Sequence, residues 1–142
     1  MDQRRFTEEV LYPISFSGGR CLNHVEKGHY YEQEAADYLI SCGYRILETN
    51  YRCRHAEIDL IAMDGDYLVF VEVKYRQSDR VQSPSEAVDG KKQRQISLAA
   101  DQYLLKHKVS EEQLCRFDVV AFLKERPILY KNAFEYQGAK GW

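Results

Sequence analysis

"EIDLIAMDGDYLVFVEVK", residues 57–74, decides the fold. Two apolar runs flank Asp64-Gly65, and glycine accepts the positive φ of a tight hairpin turn. Side chains alternate along a strand. Glu57, Asp59 and Ile61 are therefore expected on one face of the first run, and Ile58, Leu60 and Ala62 on the other. In the second run Leu68, Phe70, Glu72 and Lys74 share a face opposite Val69, Val71 and Val73. The clean apolar faces fix the register, with the charged face only partly core. Asp59, Glu72 and Lys74 are thereby brought together on adjacent strands.

Working outward, "YRILETNYRC" (44–53) reads as a strand ahead of the hairpin. Before it, Tyr31, Ala35, Tyr38, Leu39 and Cys42 recur at helical spacing, which predicts a helix from about 27 to 42 with Gly43 as its stop. After the hairpin come a loop with Pro84 and a second helix carrying Ile96, Ala99, Ala100, Tyr103 and Leu104 inward. "CRFDVVAFLK" (115–124) and "PILYKNAFEY" (127–136) then read as two more strands, with Pro127 between them. The order α-β-β-β-α-β-β predicts an α/β fold, a mixed β-sheet flanked by helices, in which the third and fourth strands lie parallel across a helical connection.

Residues 1–24, with Pro13 and Gly18-Gly19 and no periodicity, read as an arm or tail, 25–137 as the domain, and 138–142 as a C-terminal tail. A chain of 142 residues with 44% hydrophobic and 30% charged residues has the balance of one soluble domain with one core. No apolar run approaches the ~20 residues needed to cross a bilayer, and "MDQRRFTEEV" lacks the apolar stretch of a secretion signal. A cytoplasmic protein that makes no use of membranes is expected. Cys21, Cys42, Cys53 and Cys115 form no CxxC pair, which suits reduced thiols. The pairs Cys21/His24 and Cys53/His55 lack the spacing of a zinc finger or ribbon.

The net charge of −2 argues against a uniformly basic nucleic-acid binder. Charge is uneven, however: from residue 74 to 94 six cations (Lys74, Arg76, Arg80, Lys91, Lys92, Arg94) face three anions (Asp79, Glu86, Asp89). Such a patch holds phosphates while the remaining surface stays acidic.

Carboxylates held within ~4–6 Å repel one another unless a cation lies between them. A hard divalent ion meets that condition, because Mg²⁺ takes a few carboxylate or carbonyl oxygens and keeps waters for a phosphate oxygen and a nucleophile. Lys74, on the face of Glu72, is placed to orient or deprotonate that water, or to neutralise charge on the phosphate. E-x-K alone is a common pattern. Its weight here comes from Asp59, 13 residues upstream across a hairpin, and from a helix carrying Glu32 at the border of its apolar stripe.

Gly28, Glu32, Ala35, Tyr38-Leu39, "GYRIL", Asn50, Arg52, "EIDLIA", "LVFVEVKYR", Ala87-Val88, Lys91, "FDVV" and Ala133-Phe134 together resemble the YraN family of bacterial proteins, over about residues 24–135. That family is similar in turn to the PD-(D/E)xK restriction-endonuclease-like nucleases, especially archaeal Holliday-junction resolvases. The resemblance implies a restriction-endonuclease-like fold, metal roles for Asp59 and Glu72, a catalytic role for Lys74 and an auxiliary acidic role for Glu32. Where the family usually has glycine, this chain has Tyr31 before Glu32 and Ala56 before Glu57.

On that footing the expected function is a Mg²⁺- or Mn²⁺-dependent endonuclease acting on DNA, on branched or recombination intermediates. Asp59, Glu72 and the Val73 carbonyl would hold the metal. Arg76, Lys91, Lys92, Arg94 and Gln95 would contact the nucleic-acid backbone. Symmetric cutting would favour a two-fold homodimer. The alternatives are a non-catalytic nucleic-acid-binding or DNA-processing accessory protein, and a protein-interaction domain whose acidic cluster is structural.

Overall fold

The computed structural model describes residues 23–54, 56–76 and 88–138. Along the chain run α1 (His24–Ser41), β1 (Arg45–Arg52), β2 (Glu57–Asp64), β3 (Tyr67–Arg76), α2 (Gly90–Lys106), β4 (Leu114–Leu123) and β5 (Arg126–Tyr130). The expected order α-β-β-β-α-β-β stands. The five strands form one sheet in sequence order, with β3 and β4 parallel and every other pair antiparallel. The arm at 1–22, the loop containing Arg80, Pro84 and Ala87, the residues Cys21 and His55, and the tail at 139–142 lie outside the described residues.

Local chemistry sets the boundaries. α1 begins at His24, three residues earlier than periodicity alone suggests, because Asn23 and Glu26 form a capping box: each side chain bonds the other's backbone N–H at 2.9 Å. At its other end Gly43, at φ +93°, turns the chain so that the Tyr44 N–H reaches the Leu39 carbonyl. Asp89 caps α2 by accepting from the Lys92 N–H at 2.8 Å. In the hairpin Asp64 pairs with Tyr67, so the two turn residues are Gly65 and Asp66, one position later than expected. β5 is shorter than expected. After Tyr130 the chain turns inward instead of continuing the ladder: Ala133 N–H bonds the Phe117 carbonyl at 2.8 Å, and the Phe134 ring stacks on Phe117.

Each face of the sheet carries one helix and one core. α1 places Tyr31, Ala35, Ala36, Tyr38 and Leu39 against Leu60, Ala62, Val69, Val71, Val120 and Phe122. α2 places Ile96, Ala99, Ala100 and Tyr103 against Ile58, Ile61, Leu68, Phe70, Phe117 and Val119. Two expectations need correction. The face of Ile61, Leu68 and Phe70 is full core, and charge is confined to its end. Ile58 packs on the α2 side although Leu60 and Ala62 pack on the α1 side. Strict alternation therefore breaks between Ile58 and Leu60, because the sheet splits there.

A second polar feature ties the opposite end together. Asp118 is fully buried and accepts from Arg116 Nε at 2.8 Å, Arg116 Nη2 at 2.9 Å, the Tyr44 hydroxyl at 2.8 Å and the Asn132 N–H at 2.9 Å. Arg116 Nη2 also reaches Asp64 at 2.6 Å, and Lys131 joins at 3.1 Å. A buried charge is tolerable when every lone pair is met in this way.

Candidate active site

The β2–β3 ladder begins at Leu60↔Val71 and runs toward the hairpin turn. One step beyond Leu60 the next rung is missing. The Val73 N–H donates to the Asp59 side chain, Oδ2, at 2.8 Å, where a regular sheet would use a main-chain carbonyl. Past this point β3 stays with β4 as far as Arg76↔Leu123, while β2 stays with β1 through Tyr51↔Ile58 and Arg52↔Glu57. The strands diverge and leave a cleft of about 570 Å³, lined by α1 and the end of β3 and holding Tyr31, Glu32, Asp59, Glu72, Val73 and Lys74.

Three of the expected groups meet on the β3 side. Glu72 is only 5% exposed, and its Oε1 stands 3.3 Å from Lys74 Nζ and 3.9 Å from Lys92 Nζ. Its Oε2 is buried without a hydrogen-bond partner among the described residues. Burial, then the charge of Asp59, push the Glu72 carboxyl up to about 8, against the pull of the two lysines. Burial also raises Asp59, against the lowering effect of the Val73 N–H.

On the other side of Asp59 lies a grouping that pattern reading did not single out. Glu32, Glu57 and Asp59 each offer a carboxylate oxygen, all within 4.8 Å of one another. In the sequence Glu57 does no more than share a strand face with Asp59. That i, i+2 spacing was the available signal, and its meaning depended on α1 delivering Glu32 to the same point. Glu32 is raised, first by burial and then by Asp59, and is drawn down by the nearby Asn50 amide and by His29, whose Nδ1 is 3.6 Å away. Arg52 Nε stands 3.5 Å from Glu57.

Of the expected nucleic-acid contacts, Lys92 reaches Glu72 from α2, Lys91 and Arg94 are exposed at the start of α2, and Gln95 is half-buried. The side chain of Arg76 is outside the described set. Tyr31 forms a wall of the cleft: its ring stacks on Tyr75 with centroids 4.2 Å apart, and it also packs on Phe122. Ala56 lies where β1 turns into β2, its carbonyl accepting from the Cys53 N–H at 3.0 Å.

These features define an α/β protein whose mixed sheet opens at one end around an acidic cluster and a lysine. The chain belongs to the uncharacterised protein family UPF0102, whose model matches residues 31–122. It is 49% identical over 118 residues to a UPF0102 protein of Lachnoclostridium phytofermentans, covering 83% of this chain and 100% of that one. To the UPF0102 protein of Syntrophus aciditrophicus it is 49% identical over 120 residues, covering 82% and 94%. To that of Alkalilimnicola ehrlichii it is 40% identical over 115 residues, covering 81% and 91%. Glu32, Asn50, Glu57, Asp59, Glu72 and Lys74 all fall within the matched span.

Proposed function

We propose that this protein is a Mg²⁺- or Mn²⁺-dependent endonuclease that hydrolyses DNA phosphodiester bonds, acting in the cytoplasm on branched or recombination intermediates. The observation that carries the reading is Glu72: a carboxylate buried against Asp59, one oxygen of which meets no donor among the described residues. A buried acid of this kind costs stability unless something positive completes it. The donors at hand are hard oxygens, which suit Mg²⁺ or Mn²⁺ and not a thiophilic metal.

Asp59, Glu72 and the Val73 carbonyl would hold the ion, and Glu32 with Glu57, on the far side of Asp59, would support a second ion or the attacking water. Bound there, a divalent cation supplies Lewis-acid polarisation of a phosphoryl oxygen and favours ionisation of water. Lys74 Nζ, 3.3 Å from Glu72, is held at the mouth of the cleft. There it orients the attacking water and offsets charge developing on the phosphate. Lys92, 3.9 Å from the same oxygen, adds positive charge from α2. Lys91, Arg94, Gln95 and Arg76 hold the nucleic-acid backbone. The branched substrate and a two-fold homodimer to cut it symmetrically follow from the kinship to resolvases, since fold alone does not fix function.

The test is incubation of the purified protein with labelled duplex, flap and four-way-junction DNA, with and without Mn²⁺, alongside calorimetric titration of Mn²⁺. Cation-dependent cleavage, greatest on a branched substrate and lost in Lys74→Ala, is the expected result. Failure to bind Mn²⁺ would overturn the reading.

A further inference from the structure

Past Leu60↔Val71, β2 no longer covers β3, whose end runs on with β4 alone on its other side. Both faces of β3 therefore open onto one cleft. Glu72 meets Lys92 on the α2 side, whereas Val73 and Tyr75 belong to the α1 side. Tyr75 thus lines the same cleft as Asp59, Glu72 and Lys74, one residue beyond the lysine.

A lone exposed aromatic needs no explanation. Tyr75 differs in how it is held. Its ring lies nearly parallel to that of Tyr31, at 17° with centroids 4.2 Å apart. Tyr31 in turn is buried, tilted against Phe122 at 5.0 Å and edge-on to Tyr30 at 5.1 Å. The core fixes the inner ring, and the outer one keeps 37% of its surface exposed beside the acidic cluster. Flat rings stack in offset fashion, and a nucleobase is one more such ring. The α1 rim of the cleft also carries His24 and Lys27, so basic side chains flank the tyrosine together with Lys74. Aromatic faces among cations are the surface on which single strands are held, the rings taking bases and the cations taking phosphates. In a duplex the bases are already stacked and paired, so a platform inside a cleft takes up a base only once it is unpaired.

We infer that Tyr75, backed by Tyr31, is a base-stacking residue that holds an unpaired nucleotide beside the scissile phosphate, so that this site takes single-stranded DNA or the single-stranded part of a branch. The inference rests on the nuclease reading proposed above and adds to it the form of strand that the cleft accepts. It carries no sequence preference, since every base has a π-face.

The experiment measures binding of a labelled single-stranded oligonucleotide and of a blunt duplex of the same length to the full-length wild type, Tyr75→Phe and Tyr75→Leu, with Ca²⁺ present as a hard cation. Each protein also receives a melting curve and a calorimetric Mn²⁺ titration. The wild type and Tyr75→Phe should bind the single strand alike, and more tightly than the duplex. Tyr75→Leu keeps apolar bulk without a ring, and its affinity for the single strand should fall about 10-fold or more. Its affinities for duplex and for Mn²⁺ should not change. Unchanged single-strand affinity in Tyr75→Leu, a loss shared equally by the duplex, or an equal loss in Tyr75→Phe would overturn the inference while leaving the cation reading intact. A wild type that prefers duplex would overturn it too, however the variants fold. A wild type that binds no Mn²⁺ would instead sink the cation reading, and with it the claim of a scissile phosphate beside Tyr75.

Discussion

The backbone N–H of Val73 donates to the Asp59 side chain at 2.8 Å, at the step where β2 and β3 stop exchanging main-chain bonds. One carboxylate thus both ends a ladder and opens a site. Its Oδ2 is committed to Val73, while the same carboxyl group faces Glu72 on one side and Glu32 and Glu57 on the other.

Replacing Asp59 separates these duties. Asparagine keeps an acceptor for Val73 and removes a negative charge from the cluster, so Asp59→Asn in EDTA should melt at or above the wild-type temperature. Alanine strands the Val73 N–H, and Asp59→Ala should be less stable than Asp59→Asn by about 1–3 kcal/mol. Both should lose cation-dependent cleavage. Chemical denaturation of the three proteins in EDTA measures the ordering, and a destabilised Asp59→Asn would show that its charge serves the fold.

Glu72 makes the metal-free protein sensitive to alkali. Its carboxyl is raised by burial and by Asp59 to about 8, above its ordinary value near 4.5, so the fold favours the protonated form. The stability associated with that proton is complete below about 4.5 and is lost as pH rises toward about 8. Melting temperatures in EDTA should fall across this window, and Glu72→Gln should flatten the fall. Saturating Mn²⁺ should reverse the slope in the wild type, since a cation replaces the proton.

The exposed cations at the start of α2 should act through the phosphate backbone. Replacing Lys91 and Arg94 by alanine should weaken binding to all DNA sequences alike and lower the slope of log affinity against log salt by about 1–2. Lys92 is left in place, because it stands beside Glu72 and its loss would also disturb the acidic cluster. Binding isotherms at several salt concentrations provide the check, and an unchanged slope would put the binding surface elsewhere.

The Arg116–Asp118 network should prove structural. Asp118→Ala leaves the Arg116 Nε–H, the Tyr44 hydroxyl and the Asn132 N–H without their acceptor in a buried setting, for a loss of about 3–5 kcal/mol. Because none of its hydrogen-bond partners belongs to the acidic cluster, a folded remnant should still titrate Mn²⁺ normally. Acid should weaken the same corner. Burial alone would raise Asp64, but hydrogen bonds from Arg116 and Lys131 outweigh it and hold the carboxyl below its usual 3.8. Stability from this pairing is present above about 3.8 and is lost as pH falls further. Asp64→Asn should remove that acid-sensitive component in urea titrations between pH 5 and roughly 2.

The elements were legible wherever a residue's role followed from its neighbours in the chain. The i, i+4, i+7 spacing of Tyr31, Ala35 and Tyr38 marked α1, Gly43 marked its end, and β3, Tyr67–Arg76, contains the whole alternating run from Leu68 to Lys74. The capping pair Asn23 and Glu26 was also written in the sequence, three residues apart, and simply outweighed by the periodicity that starts later. What was not legible arises between strands. Nothing local says that Asp59 will take the Val73 N–H, and so nothing local says that Ile58 will cross to the α2 side. Glu57 gains its meaning from the same divergence, since only the folded sheet brings Glu32 of α1 to it. The inward turn at Asn132 and Ala133 likewise depends on Asp118 and Phe117, distant acceptors that no β-propensity records.

β1 is an outer strand of the sheet among the described residues, and it is an irregular one, with its register shifted between Ile46 and Glu48 and its backbone reversed in hand at Asn50. A free strand edge invites another chain to add to it, the first step of amyloid-like growth, and broken geometry is how native sheets discourage this. Only short stretches of β1 offer a regular row of donors and acceptors to a newcomer. The reversed backbone at Asn50, with the register shift before it, therefore makes this rim a poor template for another chain.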